Sequence, residues 1–133
     1  MPLHAVIVDD NLESSETLGI LLELEGYTVA TAASLRDARL RLSEHRPDVL
    51  ILDRALPDGQ GMDFLSEALR EGPMTIVMLT GTSNAGDAAE AILRGATAYL
   101  VKPATIDQLT EVLGARPPQG AKVSRYGGGV FAA

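Results

Sequence analysis

Four short apolar runs punctuate the chain, and each ends in a polar residue able to do chemistry. Ala5-Val6-Ile7-Val8 ends in Asp9-Asp10, and Val49-Leu50-Ile51-Leu52 ends in Asp53. Thr75-Ile76-Val77-Met78-Leu79 ends in Thr80, and Ala98-Tyr99-Leu100-Val101 ends in Lys102-Pro103. The runs are apolar at successive positions rather than at alternate ones, the pattern of parallel strands covered by helices on both faces. Between them the apolar positions take up a helical period. Leu18, Leu21 and Leu22 predict a first helix closed by Gly26, after which residues 27–31 read as a further strand. Ser34, with Asp37 three residues on, predicts the start of a second helix whose stripe is Leu35, Ala38 and Leu42 and which Pro47 closes. Leu65, Ala68 and Leu69 before Gly72-Pro73 predict a third, and Ala88, Ala91 and Ile92 before Gly95 a fourth. Ile106, Leu109 and Leu113, ahead of Gly114 and Pro117-Pro118, predict a fifth.

Strict alternation of strand and helix argues for a doubly wound α/β domain with right-handed crossovers. Five parallel strands suggest the flavodoxin-like order 2-1-3-4-5, whose ligand crevice opens at the C-terminal strand ends, beside the first and third strands. Asp9, Asp10 and Asp53 stand at those ends. Residues 115–133 carry Pro117-Pro118, Gly120 and Gly127-Gly128-Gly129 and read as a flexible tail or linker, leaving residues 1–114 as the domain.

Composition narrows the field. A chain of 133 residues with 46 % apolar content is enough for one domain with a real core. The absence of Cys excludes disulfides, thiolate metal sites and cysteine nucleophiles. No apolar stretch approaches the ~20 residues that span a bilayer, and no signal peptide is visible, so the default expectation is a soluble cytoplasmic protein without membrane contact. A net charge of -7 repels phosphate backbones, so direct nucleic-acid binding is not expected, while cations are favoured.

Gathered at one sheet edge, Asp9, Asp10 and Asp53 would repel one another unless something compensated. A hard divalent cation is the economical answer, and Mg²⁺ accepts a few carboxylate or carbonyl oxygens while keeping its waters. Lys102 adds a compact positive charge and Thr80 a hydroxyl donor. A carboxylate nucleophile, a cation site, a hydroxyl and an ammonium together suit phosphoryl transfer onto aspartate. Each has an ordinary explanation alone. Asp9-Asp10 or Asn11 could cap a helix, Thr80-Gly81 could form a turn, and Lys102 could be a solvated charge. Four separate strand ends carrying the full set make those explanations the weaker ones. His4 and His45 are not spaced as a metal pair, and Gly59 and Gly61 read as turn residues, since no nucleotide-loop pattern surrounds them.

These motifs, in this order and spacing, resemble the receiver domain of two-component response regulators from about Leu3 to about Leu113. The resemblance rests on Val8-Asp9-Asp10, the helix ending at Glu25-Gly26-Tyr27, Asp48 through Asp53, and Leu56-Pro57 followed by Gly61. It continues through Leu79-Thr80-Gly81 and Gly95 through Pro103. The resemblance implies that Asp53 is the phosphoacceptor, that Asp10 binds Mg²⁺ directly with Asp9 positioning it, and that the Ala55 carbonyl is a further ligand. It implies that Lys102 pairs with Asp53 and then with the phosphoryl group, that Thr80 bonds that group, and that Tyr99 swings inward as Thr80 shifts. It also implies a cis Lys102-Pro103 peptide, which a tertiary amide tolerates. The donor would be a phosphohistidine on a sensor histidine kinase or histidine phosphotransfer protein. The output surface would be the face of the fourth helix, last strand and fifth helix, which is also open to homodimerisation. Such a domain is a signalling module that catalyses its own phosphorylation and dephosphorylation, not an enzyme acting on other substrates.

Two other readings are weighed against it. Aspartate-dependent phosphatases carry a second Asp two residues after the nucleophile, where this chain has Ala55. An interaction-only module of the same fold, never phosphorylated, would have no need of the intact acid, hydroxyl and lysine set. One residue departs from the family pattern. Arg54 stands where an apolar residue is usual; it either perturbs approach to the pocket or, the favoured reading, is a solvated surface charge. The tail suits a stand-alone regulator and the receiver of a longer one equally.

Overall fold

The apolar runs become strands and the periodic segments become helices. The computed structural model describes residues 3–82, 84–114 and 131–132. The chain runs β1 (His4–Val8), α1 (Leu12–Leu24), β2 (Thr28–Ala32), α2 (Leu35–Glu44) and β3 (Val49–Asp53). A short hairpin follows, β4 (Ala55–Leu56) and β5 (Gly59–Gln60), then α3 (Gly61–Ala68), β6 (Thr75–Thr80) and α4 (Ala85–Leu93). It ends with β7 (Ala98–Val101), α5 (Ile106–Gly114) and β8 (Phe131–Ala132). The main sheet has the order β2-β1-β3-β6-β7-β8. Counted over the parallel strands alone, that is the predicted 2-1-3-4-5. The sequence placed the second strand one residue early, because the ladder that pairs His4 with Thr28 and Val8 with Ala32 sets its bounds.

Two small elements go beyond the sequence reading. The β4–β5 hairpin is inserted between β3 and α3 as its own two-stranded sheet. Strand β8 pairs antiparallel with β7, Ala98 opposite Ala132 and Tyr99 opposite Phe131. It lies within the segment read as a tail, the rest of which falls outside the described residues.

Strand alternation sorts the core into two layers. Val6, Val8, Leu50, Leu52, Ile76, Met78 and Tyr99 pack with residues of α2, α3 and α4 on one face. Ala5, Ile7, Val49, Ile51, Val77, Leu79, Ala98 and Leu100 pack with residues of α1 and α5 on the other. Both faces are therefore dry, as the unbroken apolar runs require. Local chemistry fixes where the helices start and stop. Asn11 Oδ1 accepts the Ser14 N–H at 2.8 Å and Ser34 Oγ accepts the Asp37 N–H at 3.1 Å, capping α1 and α2. Gly26 and Gly95, at φ of 97° and 112°, take the left-handed conformation that ends α1 and α4.

Candidate functional site

The same alternation that builds the core builds the site. Ile7, Ile51 and Leu100 all face α1 and α5. Two residues beyond each stands Asp9, Asp53 or Lys102, so all three side chains emerge on that face at one sheet edge. The ladders run a residue past the strand ends and hold the edge in place. The Asp9 N–H donates to the Ala32 carbonyl at 2.9 Å, the Arg54 N–H to the Leu79 carbonyl at 2.8 Å, and the Lys102 N–H to the Thr80 carbonyl at 2.7 Å.

Lys102 Nζ bridges the two buried acids, 2.9 Å from Asp9 Oδ2 and 3.1 Å from Asp53 Oδ2. Asp9 is 2 % exposed and Asp53 8 %, while Asp10 is open to solvent. Burial drives Asp9 upward, but the Asn11 N–H, donating to Oδ1 at 2.9 Å, and the Lys102 ammonium more than offset it and hold its carboxyl below the usual range. For Asp53 burial dominates, and with the neighbouring Asp9 charge it pushes the carboxyl up in spite of Lys102. Lys102 in turn is desolvated, yet its two carboxylate partners raise it, so it stays a cation. The set is one ammonium shared by two carboxylates, with a third carboxylate beside them.

Carboxylate oxygens of Asp9, Asp10 and Asp53 lie within 4.8 Å of one another. One ammonium cannot neutralise three acids at that spacing, so the donor set fits a hard divalent cation. Both Asp9 oxygens are already engaged, Oδ1 by the Asn11 N–H and Oδ2 by Lys102. Asp10 is the acid left open on the solvent side.

Thr80 shares the edge but, two residues beyond Met78, stands on the face of α3 and α4. It is 5 % exposed, and its hydroxyl accepts a long 3.4 Å bond from the Thr82 N–H. Tyr99 is fully buried in the layer that includes Ala88 and Ala91 of α4. Its ring lies inside the core layer. The Lys102-Pro103 peptide is cis.

Three supporting contacts go beyond the sequence reading, which named Gly61 and Arg54 without their partners and did not name Asp58. A Cβ at Gly61 would collide with the Asp53 carbonyl oxygen, so only glycine lets α3 start this close to the end of β3. Asp58, in the β4–β5 turn, accepts the Leu35 N–H at 2.8 Å and the Arg36 N–H at 3.0 Å, pinning the loop after Asp53 to the start of α2. Arg54 is not the freely solvated charge favoured in the sequence reading. Its Nε lies 2.8 Å from Asp87 Oδ2, with the N–H aimed off the line, so the contact is an ion pair rather than a hydrogen bond.

Comparison with known proteins agrees with this geometry. Residues 5–114 match the response regulator receiver domain family. AlgB of Pseudomonas putida, an alginate biosynthesis transcriptional regulatory protein, is 39 % identical over 105 residues, 78 % of this chain and 23 % of that protein. KdpE of Escherichia coli, the KDP operon transcriptional regulatory protein, is 32 % identical over 106 residues, 80 % of this chain and 47 % of that protein. The chain thus spans from 23 % to 47 % of the length of these two relatives. A CheY-like receiver domain protein from Methanospirillum hungatei superposes with a TM-score of 0.79 at 28 % identity, covering 86 % of this chain and 92 % of that one. A response regulator from Burkholderia pseudomallei, solved with a phosphorylated aspartic acid and a calcium ion, gives 0.78 at 27 % identity over 84 % of this chain and 66 % of that one. With the match running from β1 through α5 and the fold and acidic edge in agreement with it, the chain belongs to the response regulator receiver domain family.

Proposed function

We propose that Asp53 accepts a phosphoryl group from a phosphohistidine on a sensor histidine kinase or histidine phosphotransfer protein. The observation that carries this reading is the Lys102 bridge between two buried acids, one depressed and one raised. In the step, a carboxylate oxygen of Asp53 forms the new bond to phosphorus as the phosphorus–nitrogen bond breaks, and the donor imidazole leaves. Lys102 keeps Asp53 ionised before transfer and then pairs with the phosphoryl oxygens. Thr80 turns its hydroxyl from the weak Thr82 contact to the phosphoryl group. Asp10, Asp53 and the Ala55 carbonyl would hold Mg²⁺, with Asp9 positioning it, and the ion would neutralise charge on the phosphoryl oxygens. Reversal by water is catalysed by the same residues, so the domain controls its own phosphorylation and dephosphorylation.

The consequence lies in population shift. A phosphoryl group adds about -1.5 to -2 of charge at one sheet edge. The Thr80 movement then favours a second arrangement of α4, β7 and α5, the face through which a partner, an output domain or a second copy is engaged. Residues 1–114 form the receiver and 115–133 a tail or linker. The domain works in the cytoplasm without direct nucleic-acid contact; among the described residues no helix is long and apolar enough to cross a membrane.

Acetyl phosphate with Mg²⁺ should add one phosphoryl group to the wild type by intact mass and none to Asp53→Asn. An unmodified wild type, beside a control receiver that is labelled, would sink the proposal and leave the interaction-only reading.

A further inference from the structure

The switch proposed above runs from Thr80 into α4, so contacts made by the start of α4 bear on its balance. Tyr99 is buried in the same layer as Ala88 and Ala91 of α4. Among the described residues, the Arg54–Asp87 ion pair links the end of β3 to the first turn of α4. Arg54 follows Leu52 by two residues, so alternation turns its side chain to the α4 face while Asp53 faces the pocket. Its backbone is fixed on both sides, N–H to the Leu79 carbonyl at 2.8 Å and carbonyl to the Gly61 N–H at 2.7 Å. The guanidinium also reaches Gln60 Oε1 at 3.5 Å. Asp87 sits in the first turn of α4, where its N–H donates to the capping Asn84 Oδ1 at 3.0 Å. The two side chains are 35 % and 25 % exposed, so water screens the pair only in part.

Asp87 is therefore tied twice, by its backbone to Asn84 and by its carboxylate to Arg54. Arg54 is held by β6 and α3, whereas Asp87 belongs to α4, the element that the proposed Thr80 movement would shift. Such a shift would draw the two ends of the ion pair apart.

We propose that Arg54 and Asp87 form a latch that holds the first turn of α4 in the unmodified arrangement and opens when Asp53 is phosphorylated. Neither residue touches the reacting atoms; both are positioning residues that set the balance between the two states. The inference rests on the phosphoacceptor reading and adds the element that restrains it. A ligand that selects the switched state must first work against the latch, so breaking the latch raises that ligand's apparent affinity.

The test is a double-mutant cycle on the full chain, with fluoroberyllate and Mg²⁺ titrated against amide shifts. The variants are Arg54→Gln, Asp87→Asn and the pair together. The latch requires Asp87→Asn to tighten fluoroberyllate binding by roughly two- to fivefold when Arg54 is present, the size of a partly exposed ion pair, and to have no effect when position 54 is Gln. A simple field effect of the Asp87 charge would tighten binding equally in both backgrounds, and that result overturns the latch while leaving the phosphoacceptor site standing. No effect in either background overturns it as well. A wild type that binds no fluoroberyllate overturns the receiver reading and the latch with it. Thermal melts of the four proteins identify any variant lost to misfolding, and Arg54→Lys, which keeps the charge, should restore most of the wild-type difference.

Discussion

His4 and His45 lie at the N-terminal end of the sheet, far from the acidic pocket, with ring centroids 3.9 Å apart and planes within 4°. The stacked pair has a physical consequence. His4 is 8 % exposed, with its Nδ1 2.7 Å from Thr28 Oγ1 and its N–H donating to Asp48 Oδ2 at 2.8 Å. Burial, then the facing His45, pull its pKa below 6.5, outweighing the Asp48 charge and the Thr28 contact. The unfolded chain therefore takes up the proton first as pH falls. The stability that neutral His4 contributes is complete above its ordinary value of 6.5 and drains as pH drops through the lower folded value. Urea midpoints measured between about pH 7 and pH 5 should fall with acidity, and His4→Gln should flatten that slope. An unchanged slope would place the titration elsewhere.

Among the elements, α3 is the one whose placement depends on a single missing atom. An added Cβ at Gly61 would meet the Asp53 carbonyl oxygen at once, with the carbonyl carbon at 3.1 Å and Leu52 Cγ at 3.2 Å behind it. The backbone and a fully buried side chain of β3 cannot yield cheaply. Gly61→Ala should cost about 1–3 kcal/mol of stability, the usual range for overpacking, and should slow phosphorylation by displacing the end of β3. Gly81→Ala, where the methyl meets nothing within 4 Å, should stay near wild type in a denaturant melt. If the two behave alike, the crowding at Gly61 is not what sets the position of α3. The contrast also marks what the sequence could reveal. Strand runs, helical stripes, the caps at Asn11 and Ser34, and the strand-end acids with Lys102 all announce themselves locally. A period or a side-chain oxygen three residues ahead is enough. The β4–β5 hairpin has only Ala55 opposite Gln60 and Leu56 opposite Gly59, too short a ladder for any period to register. Asp58 caps α2 from 23 residues downstream of Leu35, and Arg54 finds Asp87 across a helix–strand unit. Those partners are chosen by the fold, so no local pattern names them.

At the scale of the whole molecule, folding gathers like charge. The chain carries a net charge of -7, and the fold brings oxygens of Asp9, Asp10 and Asp53 within 4.8 Å while supplying one ammonium to the cluster. The unfolded chain keeps Asp53 some forty residues from the other two and has no comparable site. A cation that binds the cluster therefore binds the folded state alone and stabilises it, by about 1.4 kcal/mol when free metal stands at ten times its dissociation constant. Mg²⁺ should raise the melting temperature of the wild type well beyond the effect of sodium chloride at equal ionic strength, since screening acts on all surface charges and the site acts on three. Asp10 is the exposed member, and among the described residues no ion pair ties it to the core, so Asp10→Asn should fold normally and lose most of the magnesium increment. Asp10→Asn also removes one repelling charge, so its melting temperature without metal should equal or exceed that of the wild type. Equal magnesium shifts in both proteins would mean that the ion acts on the general charge of the domain, and would remove it from the proposed phosphoryl-transfer site.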